Sequence, residues 1–296
     1  PPLFGRAGPA PGAARDGSPD HHRLAGSPQG CGRTAGLRTF AAMGRGRFAP
    51  RRRKLRGHRI GRRWFTIDFG AGFATRRQGV RPATGTMPLR PDELEQIAAQ
   101  TIEHYNQNAA NFRDATRDHD VSQNVAALLR HIEGLAPFTI LDFGCGPGRD
   151  LKTLAGLGHR AIGLDGARAF VDMARIESGC PVWQQDFLKL DLPGDHFDGV
   201  FANASLFHVP QQELPRVLRQ LHATLKRRGV LFCSNPRGDN EEGWHGQRYA
   251  SYHDLAAWRC RMADAGYLEL EHYFRPAGLP CAQQPWLASV WRKAAQ

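Results

Sequence analysis

The sequence predicts an α/β protein in which helices cover both faces of a doubly wound, mainly parallel sheet. Two observations lead to this fold class. From residue 138 onward, short apolar runs alternate with segments of helical periodicity, which is the pattern of successive βαβ units. Near the end of the chain, two strand-like runs follow one another without a helix between them. These two runs indicate an antiparallel pair at one edge of the sheet.

Seven apolar runs have the length and composition of strands. They cover residues 138–143, 160–164, 181–184, 197–202, 229–234, 267–274 and 286–292. Helices are predicted between them at residues 149–157, 167–177, 211–226 and 253–265. In the third of these helices Leu214, Val217 and Leu218 begin an apolar stripe on one face, so this helix is expected to pack on the sheet.

Two further helices are predicted before the first strand. Residues 91–112 combine good helix formers with acids in the first turn, and residues 120–132 place Val121, Val125 and Leu128 on one face, as amphipathic helices do. The chain therefore reads as folded from about Pro91. These helices are expected to form an N-terminal helical cover on the sheet domain.

The charge of the chain is divided unevenly. The formal net charge is +12, but residues 1–86 hold 18 Lys and Arg against 3 acids, while residues 87–296 hold 22 against 25. The second part is mildly acidic and gives no charge argument for a polyanionic substrate, so a nucleic-acid partner is not expected. No window reaches the ~20 continuous apolar residues of a membrane span, so no membrane association is expected either.

Residues 1–86 are rich in Gly, Pro, Ala and Arg and are expected to be mostly disordered. Three interpretations of this segment stay open: a non-native extension upstream of Met87, an Arg-rich targeting presequence, or a basic arm that binds nucleic acid. The predicted division of the chain is an extension over residues 1–86 and a folded domain over residues 87–296.

The six cysteines are dispersed along the chain without a CxxC pair. A chain of this length needs no disulfide staples, and zinc-ligand spacing is absent. We therefore expect reduced thiols, a cytoplasmic location and no metal centre.

A glycine loop follows the first predicted strand in "TILDFGCGPGRDL", residues 139–151. Gly144, Gly146 and Gly148 give G-x-G-x-G, and Arg149 stands where the third glycine of a dinucleotide fingerprint would be. A Walker P-loop is also excluded, because no G-K-[ST] follows. Asp142 precedes the loop, where its carboxylate would repel a pyrophosphate but suits a ligand that carries a cationic group.

Acidic residues follow three adjacent predicted strands. Asp142 ends the first, Asp165 the second, and Asp186 comes shortly after the third, followed by Phe187. Open α/β sheets bind ligands at the carboxyl ends of their strands, and an acid after the second strand can accept hydrogen bonds from ribose hydroxyls. A ligand with adenine, ribose, an amino acid and a positive sulfur suits all three acids, and that ligand is S-adenosylmethionine. For each acid taken alone, a helix cap or a solvated loop is the favoured interpretation, and it is the set of three that favours the cofactor.

As a set, these motifs resemble the class I S-adenosylmethionine-dependent methyltransferases, a Rossmann-like family. "ILDFGCGPGRDL" is similar to the family's first motif, "AIGLDGA" to its second-strand acid, and "QQDF" to its adenine motif. "FDGVFANASLFHVP" and "LHATLKRRGVLFCS" are similar to the fourth-strand and fifth-strand segments. One departure is the turn before the fifth strand, which reads Lys-Arg-Arg-Gly here. The resemblance covers roughly residues 100–292 and implies a seven-stranded sheet whose last strand is inserted antiparallel.

The resemblance also implies a set of residues for the cofactor S-adenosylmethionine. The loop glycines would let the backbone approach its methionine part, Asp142 would help hold its amino group, Asp165 would bind the ribose, and Asp186 with Phe187 the adenine. Residues after the fourth strand would line the methionine pocket. The expected cofactor-binding residues are Asp142, Gly144, Cys145, Gly146, Gly148, Asp165, Gly166, Asp186, Phe187, Asn203 and Ala204.

Two residues are predicted to be catalytic. His208 lies five residues beyond Asn203 and is a candidate base near the transferred methyl group. Tyr105, with Phe112, lies on the helical segment that covers the site in similar enzymes and could exclude water. Plain packing explains these residues equally well. His119 and His253 are weaker candidates for a base.

The expected acceptor is a small molecule. Residues 234–254 read as a polar loop over the acceptor side, and Arg237 or Arg248 in it could bind a carboxylate. The fourth strand lacks the Asn/Asp-Pro-Pro-aromatic motif associated with amino methylation in DNA. Two alternatives stay open: a nucleic-acid methyltransferase that uses the basic N-terminal arm, and a non-catalytic protein that binds S-adenosylmethionine. The sequence does not identify the acceptor atom or the oligomeric state.

Overall fold

A computed structural model describes residues 87–294 of the chain. The predictions for residues 1–86 lie outside the described residues, and the division at residue 87 stays a prediction. In the described part, the helices are α1 (Pro91–Thr116), α2 (Ser122–Leu129), α3 (Arg149–Gly156), α4 (Arg168–Ser178), α5 (Leu214–Thr224) and α6 (Leu255–Asp264). No helix of this part is long and apolar enough to cross a membrane.

Nine strands form one large sheet and one hairpin. They are β1 (Thr139–Phe143), β2 (Arg160–Asp165), β3 (Val182–Gln184), β4 (Phe197–Asn203), β5 (Leu225–Pro236), β6 (Glu242–His245), β7 (Arg248–Ser251), β8 (Tyr267–Arg275) and β9 (Trp286–Lys293). The large sheet has seven strands in the order β3-β2-β1-β4-β5-β9-β8. Its first five strands are parallel, and β9 runs antiparallel between β5 and β8.

The strand order confirms the predicted fold class. The seven strands of the sheet are those predicted, with the antiparallel pair at one edge and α1 as the N-terminal cover. The sheet is buried on both faces, which is why its parallel strands read as continuous apolar runs in the sequence. One face packs on α5 and α6 through Leu218, Leu221 and Trp258, and the other packs on α2, α3 and α4 through Leu128 and Leu151.

Residues 234–254 differ from the predicted loop. They contain a hairpin in which β6 pairs with β7, so that Trp244 lies opposite Tyr249. Gly246 takes a φ of 64° at the first turn position, and a Gly-x turn of this kind is typical of two-residue hairpins. The prediction was wrong because the polar composition of the segment hid this turn signal.

The boundary between α5 and β5 also differs from the prediction. The helix ends at Thr224, and pairing of Phe197 with Leu225 begins β5 four residues early. The strand pairing then shifts register, and Gly199 pairs with Val230. Arg228 adopts a φ of 62° in the intervening bulge. The segment "KRRG", predicted as a turn, is therefore a bulged extension of the strand.

The close approach of the glycine loop to α4 gives a test of the fold. At Gly148 φ is +96° and an added Cβ would lie 2.7 Å from the Ala174 Cα. Gly158 has a similar φ of +87°, with nothing within 4 Å of an added Cβ. We expect Gly158→Ala to lower the free energy of unfolding by about 1–2 kcal/mol through backbone strain alone. Gly148→Ala should lower the free energy of unfolding in urea clearly more than Gly158→Ala does, because backbone strain and the collision with Ala174 add. Equal decreases in the two variants would contradict the packing of the loop on α4.

Candidate active site

The three loop glycines have different surroundings. Gly144, Gly146 and Gly148 all have positive φ, which favours glycine. An added Cβ on Gly144 would lie 2.4 Å from the Ser205 Cβ, whereas one on Gly146 would meet only Phe112, at 3.8 Å. The outer glycines therefore allow close packing with the protein itself. Gly146 is the one at which the backbone stays open to a ligand.

The carboxylate of Asp165 connects the glycine loop to the turn after β2. Its Oδ2 accepts a hydrogen bond from the Gly146 N–H at 3.0 Å, and its Oδ1 accepts from the Ala167 N–H at 2.9 Å. Burial raises the pKa of Asp165 to about 6, and these backbone donors partly oppose that rise. Gly166 lies under α1, where an added Cβ would stand 3.0 Å from Ile102. The loop and α1 thus meet around this carboxylate.

Asp142 lies beneath the loop with one oxygen unsatisfied. Its side chain is buried, with 2% of the residue exposed, and Oδ2 has no hydrogen-bond partner within the described residues. Burial, followed by the nearby Asp150 carboxylate, holds the pKa of Asp142 well above its usual range, and Arg149 opposes this effect. Two buried acids with Arg149 as the basic neighbour make this position favourable for a further cationic group.

Asn203 is held by a chain of hydrogen bonds that starts at Asp150. The Asn203 amide donates to Asp150 Oδ2 at 3.0 Å and accepts from Asn124 Nδ2 at 3.0 Å. Asn124 Oδ1 in turn accepts from the Tyr273 hydroxyl and the Arg275 guanidinium, both at 2.9 Å. Sequence reasoning missed Asp150, Asn124, Tyr273 and Arg275, because their partners are distant in the chain and no local pattern marks them.

Asp186 and Phe187 lie where β3 leaves the sheet. Asp186 Oδ1 accepts a hydrogen bond from the Leu188 N–H at 2.8 Å. The Phe187 ring stacks on Phe143, with centroids 4.3 Å apart and an angle of 25°. A cavity of about 230 Å³ adjoins Asp186 and is also lined by Leu94 of α1. This cavity extends the site beyond β3, on the side expected to hold adenine.

Tyr105 and His208, predicted separately, are in direct contact. The Tyr105 hydroxyl lies 2.7 Å from His208 Nε2, and His208 Nδ1 lies 2.8 Å from the carbonyl oxygen of Tyr249. A carbonyl can only accept, so Nδ1 carries the hydrogen and Nε2 of the neutral ring accepts from the tyrosine. Burial lowers the pKa of His208 to about 4 and raises the pKa of Tyr105. The pair is therefore uncharged at neutral pH.

Aromatic rings and one arginine surround this pair. Phe112 and Phe170 contact the Tyr105 ring, with centroid distances of 5.6 and 5.5 Å. The Arg248 guanidinium donates to the Tyr105 hydroxyl at 3.3 Å. The Tyr105 hydroxyl thus lies between the Arg248 guanidinium and the neutral imidazole of His208. The helix that carries it, α1, crosses the carboxyl edge of the sheet.

Ala204 and Cys145 occupy contrasting positions at this edge. Ala204 is exposed, with a φ of 60°, and its N–H donates to the Ser234 carbonyl at 2.9 Å. The Cys145 side chain instead packs in the core under α3, and burial raises the pKa of its thiol well above the usual range. Only the backbone of Cys145 faces the loop region, so any cofactor contact from this residue would be through backbone atoms.

Other candidates from the sequence have structural partners. Arg237 donates to the carbonyl oxygens of Cys281 and Gln284 at 2.8 and 2.9 Å, and its guanidinium lies 4.4 Å from the Phe274 ring centroid. It is therefore committed to the β8–β9 connection rather than to a substrate carboxylate. His119 stands near Arg149, and burial lowers its pKa. The described residues contain no cluster of three or more metal-ligating side chains, and their five cysteines are free.

Part of this chain matches a known protein family. Residues 140–229 match the family model described as a methyltransferase domain. Residues 140–229 therefore carry a methyltransferase domain of the class I, S-adenosylmethionine-dependent type. The matched span of this methyltransferase domain runs from β1 to β5 and includes the glycine loop, Asp165, Asp186 and His208. Tyr105 lies outside it.

Relatives of the methyltransferase domain differ in the acceptor that their names state. A malonyl-[acyl-carrier protein] O-methyltransferase of Legionella pneumophila is 35% identical over 159 residues, 48% of this chain and 52% of that protein. A trans-aconitate 2-methyltransferase of Azoarcus is 30% identical over 131 residues, 43% of this chain and 49% of that protein. The chain thus spans about half the length of these curated relatives.

A solved structure shares the fold of the methyltransferase domain. The 1,6-didemethyltoxoflavin-N1-methyltransferase of Burkholderia thailandensis, bound to 1,6-didemethyltoxoflavin and S-adenosylhomocysteine, aligns with a TM-score of 0.59 at 21% identity. The alignment covers 73% of this chain and 95% of that protein. At this identity the likeness shows the fold alone.

The buried His208 predicts how stability depends on pH. Its folded-state pKa is lowered from 6.5 to about 4, so between these pH values the unfolded chain binds a proton that the folded chain does not. Stability should therefore fall as the pH drops through this window. His208→Asn should reduce that fall in urea unfolding, and exposed His196→Asn should not. His253, with a pKa also lowered to about 4, acts in the same direction, so part of the loss of stability at low pH will remain in His208→Asn. Identical pH profiles for wild type and His208→Asn would contradict the assignment.

Proposed function

We propose that this chain binds S-adenosylmethionine at the carboxyl edge of β1, β2 and β3 and transfers its methyl group to a small-molecule acceptor. The observation that carries the proposal is the buried Asp142 oxygen without a partner, directly before a glycine loop whose Gly146 is open to a ligand. A buried carboxylate of this kind favours a cationic neighbour. The methyl donor has both an ammonium and a sulfonium group.

Each part of the cofactor has a matching group in the site. Asp142 would help hold the amino group. Asp165 would accept hydrogen bonds from the ribose hydroxyls, because a carboxylate can accept about four hydrogen bonds, more than the backbone N–H groups of Gly146, Gly166 and Ala167 supply. The cavity beside Asp186 would take the adenine, and Phe187, the next residue along the chain, would contact its ring. Gly166, Asn203 and Ala204 would line the path between ribose and methionine.

When bound, the cofactor supplies a methyl group on a positive sulfur, and a neutral thioether leaves as the acceptor atom forms its bond to carbon. The protein therefore has to align the acceptor and exclude water. Tyr105 and Phe112 on α1 cover the loop and contribute to that exclusion.

The Tyr105–His208 pair offers a path for the proton of an acceptor O–H or N–H. That proton would pass to the Tyr105 oxygen, while the tyrosine proton passes to His208 Nε2. The resulting imidazolium keeps its Nδ1–H bond to the Tyr249 carbonyl. Because burial lowers the pKa of His208 to about 4, the ring is free to accept a proton but is a weak base. This favours acceptors that are themselves acidic or lose their proton late in the reaction.

A small molecule is the acceptor class with the most support. The names of the relative from Azoarcus and of the solved structure from Burkholderia thailandensis include trans-aconitate and 1,6-didemethyltoxoflavin. Residues 87–296 hold 22 basic and 25 acidic residues and so offer no excess of positive charge that would attract a polynucleotide.

A labelling experiment tests the proposed reaction. The full chain is incubated with S-adenosylmethionine labelled in the methyl group and a whole cell extract, and the labelled products are separated into small molecules and RNA and identified by mass. We expect labelled small molecules. The initial labelling rate should fall roughly 10²–10⁴-fold in His208→Gln if the relay removes a proton, but stay unchanged in His159→Gln, which lies at the start of β2. Absence of any labelled small molecule, or label in RNA only, would refute the proposal.

Cofactor binding is tested separately by calorimetry with S-adenosylhomocysteine. Asp165→Ala should weaken binding by about 1.5–3 kcal/mol, because hydrogen bonds to a charged group are lost. Asp165→Asn retains an acceptor oxygen for the Gly146 N–H and should bind better than the alanine variant. Asp172→Ala on the exposed face of α4 is the matched control. Unchanged affinity in Asp165→Ala would show that the ribose is bound elsewhere.

A further inference from the structure

Three buried polar side chains near the ends of β4 and β5 have atoms without a hydrogen-bond partner. They are Ser205 Oγ, both amide atoms of Asn235, and His253 Nε2, as judged within residues 87–294. The exposed fractions of these residues are 3%, 7% and 6%. Among the buried side chains in this part of the chain, Asn235 is the one in which two polar atoms, the amide nitrogen and the amide oxygen, are both unpaired.

The backbone places these three residues together. Asn203 of β4 is in register with Ser234 of β5, and the Ala204 N–H donates to the Ser234 carbonyl. Asn235 follows Ser234 on β5, and Ser205 follows Ala204 just beyond the end of β4, so both lie at the same edge of the sheet. His253 joins them because it bridges to Arg237, two residues beyond Asn235, and so lies on the same side of the strand as Asn235.

This group lies next to the proposed reaction centre. The short 3₁₀ turn that carries His208, Leu206–His208, begins directly after Ser205 and contacts β5. The Ser205 side chain also packs against Gly144 of the glycine loop. The residues proposed for ribose and adenine follow β2 and β3, on the opposite side of β1 from β4 and β5. The group is therefore on the acceptor side of the site.

The unpaired amide disfavours the folded protein. A buried polar group without a partner destabilises the fold relative to a paired one, and an apolar residue would fill the same position without that penalty. Leu287 of β9, in register with Asn235, shows that apolar side chains suit this face of the sheet. A destabilising residue at the edge of a ligand site is expected where function requires it.

We propose that the Asn235 side-chain amide binds the methyl acceptor, through an uncharged group of the acceptor that both donates and accepts hydrogen bonds, such as a hydroxyl or a carboxamide-type N–H and C=O. This inference rests on the proposed methyl transfer. A neutral group is specified because Ser205 and Asn235 carry no charge, and burial lowers the pKa of His253 to about 4. A neutral ligand group also avoids the desolvation cost of burying an ion.

The test combines unfolding, cofactor binding and labelling on the full chain. Asn235→Leu and Asn235→Ala are compared with wild type and with His222→Leu. His222 also has a buried unpaired nitrogen, but it packs on Tyr267 and Gly266, away from the carboxyl edge. We expect S-adenosylhomocysteine affinity to be unchanged in all variants. The unfolding midpoint should be equal or higher in at least one Asn235 variant, and labelled product should fall roughly tenfold or more in both. His222→Leu should keep full labelling.

The outcomes separate this inference from the reaction on which it rests. If both Asn235 variants lower the unfolding midpoint, the amide has a structural partner and the inference is wrong. It is also wrong if either variant keeps wild-type labelling while wild type is active. If wild type labels no small molecule, the proposed function fails, and the inference fails with it.

Discussion

The hydrogen bonds of the Asp165 carboxylate hold the ligand edge of the sheet together. One oxygen accepts from the loop after β1 and the other from the turn after β2, so two segments that belong to different βαβ units are fixed at one point. The positive φ values of the loop glycines and the passage of α1 over Gly166 depend on this arrangement. Asp165 is half-buried, and its pKa is raised to about 6, because the solvation that the carboxylate loses exceeds what its backbone donors return.

Acidic side chains accumulate at this edge without an equal number of bases. Asp142, Asp150 and Asp165 all lie there, and the ion pair within the group is the one between Arg149 and Asp150. Repulsion among them disfavours the ligand-free protein, and a cation would relieve it. The same arrangement that opposes folding thus favours the class of ligand we propose. Parallel strands make this possible, since they deliver their last residues to one edge.

Much of the fold could be predicted because each strand of the sheet leaves a local pattern. The apolar runs of β1, β4 and β5 are readable from single segments, as is the glycine loop. Contacts between side chains across the site could not be predicted from single segments of the sequence. Asn124 meets Asn203 across 79 residues, and no periodicity within α2 marks that contact. The hairpin β6–β7 carried a Gly-x turn signal that polar composition outweighed, and Asn235 shows only in three dimensions that its amide is unpaired.

The segments that meet above the site come from opposite ends of the domain's sequence. The Tyr249 N–H of β7 donates to Thr101 Oγ1 of α1 at 3.1 Å, and Arg248 reaches Tyr105. Neither α1 nor the hairpin belongs to the matched span of residues 140–229. Both segments flank the matched span in the sequence and contact each other through these hydrogen bonds. Recombining such domains would therefore require α1 and the hairpin to be exchanged together, because a foreign helix would not meet the hairpin's hydrogen-bond donors.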